Sequence, residues 1–139
     1  MKRNILGQGI AASVALCLIG SAALAEQVGI GFLLQVPAYR LLKQSLKRRR
    51  PCAAFPGVDF TIAPPDHYSL PSGHTAGAFL IFFLCLATLP AVALPVLIWA
   101  VLVAYSRVHA GVHFPADVFA GILLAWLSSR CALMLFGLE

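Results

Sequence analysis

Three short clusters gather most of the residues in this chain that can do chemistry: Lys43-x6-Arg50-Pro51, Pro71-Ser72-Gly73-His74 and Ser106-Arg107-x5-His113-x3-Asp117. A phosphoryl group in transfer spreads negative charge over three equatorial oxygens, so its catalysis is mostly positioning and electrostatic stabilisation. Lys43, Arg50 and Arg107 supply the positive charge, and arginine's planar fork matches paired phosphate oxygens. The chain has only five acids, and only Asp117 lies close to a histidine in a motif, so no carboxylate cage for a metal is expected. His113 and Asp117 are four apart around Pro115, at a helix start. At that spacing the carboxylate can accept one ring N–H and leave the other nitrogen free to attack phosphorus. Pro71-Ser72-Gly73-His74 opens an apolar stretch, with Ser72 a natural N-cap and Gly73 allowing close approach of backbone to a ligand. The first-turn N–H groups of such a helix, with the positive end of its dipole, make an anion site beside His74.

The elements that must position these clusters are apolar. Of the 139 residues 60% are hydrophobic and 11% charged, and the mean hydropathy is +0.89. That balance excludes a disordered chain and sits far from an ordinary soluble domain. A nucleic-acid binder would spread its basic residues over a polar face, and almost no polar face exists here, so no nucleic-acid partner is expected. Cys17, Cys52, Cys85 and Cys131 form no CxxC pair and no zinc-ligand spacing.

Ile5 to Ala25 is uncharged and long enough to cross a bilayer. Met1-Lys2-Arg3 before it and Ala23-Leu24-Ala25 at its end also imitate a secretory signal, but further membrane segments follow, which favours a retained span. Gln27 to Leu42 is a marginal span unless it continues to Lys47 with snorkelling basic side chains. Pro51 ends that helix, and the Pro-rich run from Pro51 to Pro71 reads as a loop outside the bilayer. Thr75 to Tyr105 carries no charge. As one helix it would be roughly 46 Å long against a ~30 Å hydrocarbon core, so Pro90 and Pro95 are expected to bracket a break between two antiparallel spans. Val118 to Leu138 is the last apolar stretch, interrupted by Arg130 alone. The expected fold is an all-α, polytopic membrane bundle of four to five spans, forming one domain over residues 1–139. Spans are placed at 5–25, 27–47, 73–89, 92–108 and 117–137. The hairpin puts the three clusters on one side of the membrane, hence an active site at one interface. Ionisable groups at membrane depth are costly and mark function by default.

Residue for residue, the three clusters resemble the tripartite signature of the type 2 phosphatidic acid phosphatase (PAP2) superfamily, which includes lipid phosphatases and vanadium haloperoxidases. The resemblance runs from Leu41 to Gly121. It implies hydrolysis of a membrane lipid phosphate monoester or diphosphate, of the phosphatidic acid, phosphatidylglycerophosphate or polyprenyl diphosphate type, without metal or other cofactor. It also implies roles: His113 nucleophile through a phosphohistidine, Asp117 its orienter, His74 general acid, and Lys43, Arg50, Ser72, Gly73 and Arg107 phosphate binders. A haloperoxidase-like enzyme is disfavoured because those members are soluble and much larger. A transport or assembly subunit without turnover is disfavoured because every expected catalytic residue is present. Typical members have six spans, and a homo-dimer is one way to complete the lipid groove.

Other polar residues have plainer readings. Lys47, Arg48 and Arg49 read as a positive-inside anchor. His109 occupies no fixed motif position, His67 reads as a loop or pocket-entrance residue, and Arg130 as a snorkelling residue at the opposite interface. The expected location is a bacterial inner membrane, in several passes. The side of the active face is pulled two ways: basic residues favour the cytoplasm, whereas many bacterial members of the resembled family act on the periplasmic side.

Overall fold

The computed structural model describes residues 21–55 and 67–138, so most of the expected first span, Ile5–Ala25, lies outside the described residues. The first helix, α1, is Ala22–Leu46. It runs straight through Glu26, where a boundary was expected, because Ala22 to Gln27 are all good helix formers. Its 25 residues make a rod of roughly 37 Å. It stops at Lys47, which takes a left-handed conformation (φ 44°) and donates its N–H to the Lys43 carbonyl.

Beyond that reversal Arg49 makes a single antiparallel bridge with Tyr68, and Pro51 starts the short helix α2, Pro51–Ala54. Helix α3 is Gly73–Thr88, a 3-10 turn spans Pro90–Val92, and α4 is Ala93–His109. The long uncharged run therefore breaks once, at Leu89–Val92. Pro95 falls in the first turn of α4, where a missing N–H costs no helical hydrogen bond. Helix α5 is Pro115–Leu135, and no strand occurs among the described residues.

Helix α3 packs against α1, α4 and α5, and α5 packs against α1 as well. The core pairs large residues with small ones: Leu24, Val28 and Phe32 of α1 and Leu80 and Leu84 of α3 meet Ala100, Ala104, Ala125 and Ala132. Small residues bring helix backbones close together, which is how helices associate where the hydrophobic effect between them is absent. The outward face is apolar. Leu94, Ile98, Leu102 and Tyr105 of α4 and Phe119, Leu123 and Leu127 of α5 are exposed, while Gln27 is buried and its side-chain oxygen accepts the Thr88 hydroxyl at 2.6 Å. Pro90–His109 and Pro115–Leu135 are each long and apolar enough to cross a membrane. The C-terminal ends of α1 and α4 and the N-terminal ends of α3 and α5 meet at one end of the bundle. All three polar clusters are there.

Candidate active site

The loop carrying His113 is set by the end of α4. Gly111 takes φ +67°, the left-handed conformation usual just past a helix end, and its N–H bonds the Val108 carbonyl at 2.9 Å. The Arg107 carbonyl then accepts the N–H groups of both Val112 and His113 at 3.3 Å. Helix α5 begins with Pro115 in its first position, and Asp117 reaches back to accept the Phe114 N–H on Oδ2 at 2.8 Å. Asp117 thus caps the helix that presents it.

His113 is buried, with its ring between two charges. On one side Nε2 lies 3.3 Å from Arg50 Nη1, which also donates to the Val112 carbonyl at 2.7 Å. A guanidinium cannot accept a hydrogen bond, so this contact is favourable when Nε2 is unprotonated and the ring proton sits on Nδ1. On the other side Nδ1 lies 3.7 Å from Asp117 Oδ2, just beyond hydrogen-bond distance, and has no other partner among the described residues. Burial pushes the His113 pKa below its ordinary value; Asp117 opposes that shift and Arg50 adds to it. A neutral imidazole with an available Nε2 lone pair is the resting form.

His74, second residue of α3, is half-buried, with Arg107, Lys43 and Arg50 as well as His113 in its electrostatic surroundings. Lys43 is buried, hydrogen-bonds the Tyr39 hydroxyl and lies 4.8 Å over that ring. Arg107, in the last turn of α4, donates from Nε to the Ser106 hydroxyl at 3.3 Å. Ser72 does stand at the N-cap of α3, but its hydroxyl pairs with Thr75 Oγ1 at 3.0 Å and caps no backbone N–H. Its own N–H donates to the Asp117 carbonyl at 2.9 Å and joins the second cluster to the third. That junction is tight: a Cβ on Gly121 would lie 2.7 Å from the Ser72 carbonyl oxygen.

All eight expected residues thus have a described place at this end of the bundle, Gly73 as the first residue of α3 between Ser72 and His74. His67 is exposed and lines a cavity of about 270 Å³ with Arg40, Lys43, Gln44 and Tyr68, as a pocket-entrance residue would. His109 is exposed and stacks on Tyr105, with ring centroids 5.6 Å apart. One residue has a contact that the sequence does not signal. Arg48, grouped with Lys47 and Arg49 as an anchor, donates from Nη1 to Asp117 Oδ1 at 3.1 Å and lies 4.6 Å over the Phe114 ring. Nothing in the spacing of the basic run distinguishes it, because its direction is set by the reversal at Lys47. Among the described residues no three of His, Cys, Asp and Glu come together as metal ligands would.

The sequence pattern of the PAP2 superfamily matches residues 10–137. An undecaprenyl-diphosphatase from Sulfolobus acidocaldarius is 37% identical over 102 residues, covering 71% of this chain and 49% of that protein. Among solved structures, LpxE of Aquifex aeolicus aligns with a TM-score of 0.79 at 27% identity, over 94% of this chain and 81% of its own. A transmembrane PAP2 type phosphatidylglycerolphosphate phosphatase from Bacillus subtilis aligns at 0.61 and 27% identity, over 96% and 73%. The chain spans about half the length of the curated relatives it matches.

Proposed function

This chain belongs to the PAP2 superfamily, and on that premise we propose that it is a multi-pass membrane phosphatase that removes phosphate from a lipid phosphate monoester or diphosphate. The observation that carries the reading is the buried His113, its Nε2 facing Arg50 and its Nδ1 facing Asp117. The substrate class follows the relatives, one named for a polyprenyl diphosphate and one for a phosphatidylglycerophosphate. The apolar outer face and two helices of membrane-spanning length support an active face at a membrane interface.

In this mechanism Lys43, Arg50 and Arg107 hold the phosphate oxygens, together with Ser72 and the first turn of α3 at Gly73. Arg50 turns from the His113 lone pair to the phosphate, which frees Nε2. The lone pair forms an N–P bond as the P–O bond to the lipid breaks, and the leaving oxygen takes a proton from His74. The cations around His74 are balanced by the bound phosphate, so His74 can hold that proton in the complex. Asp117 faces the imidazolium that forms on His113. Water then attacks phosphorus with His74 as base, and inorganic phosphate and free His113 are regenerated. No step requires a metal.

The test is phosphate release by the purified full chain in nanodiscs, from undecaprenyl diphosphate, phosphatidylglycerophosphate and phosphatidic acid, with a chelator present. Release from at least one lipid is expected, with a loss of at least about a thousandfold in His113→Ala. A rate lost to the chelator and restored by magnesium, or full activity in His113→Ala, would overturn it.

A further inference from the structure

We propose that Arg48 is a positioning residue of the His113–Asp117 pair, acting through the carboxylate and not on the phosphate. The inference rests on His113 being the nucleophile. Asp117 has no solvent exposure, and a buried anion is costly unless its oxygens are matched. Oδ2, the oxygen nearest His113, also takes the Phe114 N–H, while Oδ1 takes Arg48. The two donors hold opposite oxygens of one carboxylate, so its plane is fixed and Oδ2 stays aimed at Nδ1.

Arg48 is itself held in place. Its guanidinium lies over the ring of Phe114, the residue that follows His113. Its carbonyl accepts the Ser69 N–H at 2.8 Å and the Ser69 hydroxyl at 3.3 Å, which ties it to the segment leading into Pro71-Ser72. The groups that weigh electrostatically on His113 are Asp117, Arg50 and Lys43, with His74 beside it. On Asp117 they are His113 and Arg48. Arg48 therefore reaches the nucleophile by way of Asp117, whereas Arg50 and Lys43 reach it directly from the phosphate side. The six residues between Lys43 and Arg50 are not a passive spacer.

Replacing Arg48 removes a cation from beside Asp117, whose negative charge then acts undiminished on His113 and favours its protonated form. In Arg48→Gln, kcat is expected to fall about tenfold to a hundredfold, the worth of one hydrogen bond to a charged group. Competitive inhibition by inorganic phosphate, a ground-state anion, should stay within about twofold of the parent, because the phosphate-binding cations are untouched. The acid limb of the rate profile should move to higher pH. Arg48→Lys keeps the charge without the fork or the ring contact, so it should restore the acid limb and only part of kcat. Arg49→Gln, at an exposed neighbour, should keep the parent rate.

A readout independent of turnover is the histidine ring-nitrogen NMR of the full chain in nanodiscs, with His113 assigned by its Asn variant. Its titration midpoint should rise in Arg48→Gln and return in Arg48→Lys. If the parent releases no phosphate from any lipid, the proposed function fails, and the NMR still decides on Arg48. An unmoved midpoint in a folded Arg48→Gln overturns the Arg48 assignment, as does loss of inhibition by inorganic phosphate in parallel with kcat. If Arg48→Gln does not fold, an Arg48→Lys titration displaced from the parent's also overturns it, and a coincident one upholds it.

Discussion

At the scale of single residues, His113 is the group on which protonation turns. Burial holds its pKa below the ordinary histidine value, with Asp117 opposing that shift and Arg50 adding to it. Above that lowered pKa the ring is neutral and Nε2 carries a lone pair; below it the proton occupies the attacking nitrogen. The acid limb of kcat/KM should therefore fall as pH drops, with its midpoint below about 6.5. A rate-pH series with a lipid phosphate checks this, and a limb centred above the ordinary histidine value would contradict it. Arg50→Gln should lose both its phosphate contact and its hold on the Val112 carbonyl. Inhibition by vanadate should weaken with it by at least about tenfold, a drop of one charge-assisted hydrogen bond.

At the scale of elements, the crossing of α3 and α5 decides whether the clusters meet. A Cβ at Gly121 would meet the Ser72 carbonyl oxygen at 2.7 Å and the Ala76 nitrogen at 3.3 Å. Both are backbone atoms, so the helices must separate, at a cost of about 1–3 kcal/mol. Gly121→Ala should lower the thermal unfolding midpoint in detergent and reduce kcat together, since the Ser72–Asp117 hydrogen bond spans the same crossing. Gly31→Ala is the contrast: the atoms nearest its Cβ would be those of the Leu80 side chain, at 3.0–3.4 Å, and not backbone. It should leave the rate close to the parent's. Equal rates in both variants would argue against the crossing as the element that sets the site.

At the scale of the whole molecule, the three polar clusters lie at one end of an apolar bundle, and thiol labelling tells which compartment that end faces. Lys47 and Arg49, beside that end, favour the cytoplasm under the positive-inside rule. Arg48 and Arg50 no longer count toward it, because the Asp117 pair and the His113 contact engage them on either side. Cys52 reads the answer directly: it is half-buried beside Pro51, whereas Cys85 is buried and Cys131 lies on apolar α5. In a chain keeping Cys52 as its sole cysteine, a membrane-impermeant thiol reagent should label only after the cells are lysed. Labelling of intact cells would place the active face outside.

The amino-acid sequence alone was enough to name candidates for the chemistry. Residue types, together with the resemblance to a family signature, single out Lys43, Arg50, His74, Arg107, His113 and Asp117, and a phosphoryl transition state needs cations, a nucleophile and an acid whatever holds them. The hairpin was legible too, since an uncharged run longer than a bilayer must break, and Pro90 marks where. Only the tertiary structure decided which donor meets which acceptor. Arg48 and Asp117 are 69 positions apart and meet because the chain reverses at Lys47 and α3 is clamped against α5 at Gly121. The Ser72 hydroxyl looked like a helix cap and is taken by Thr75 instead, one turn along the same helix. Local spacing fixes which groups a motif offers; the angles and separations of packed helices fix their partners, and those depend on the whole core at once.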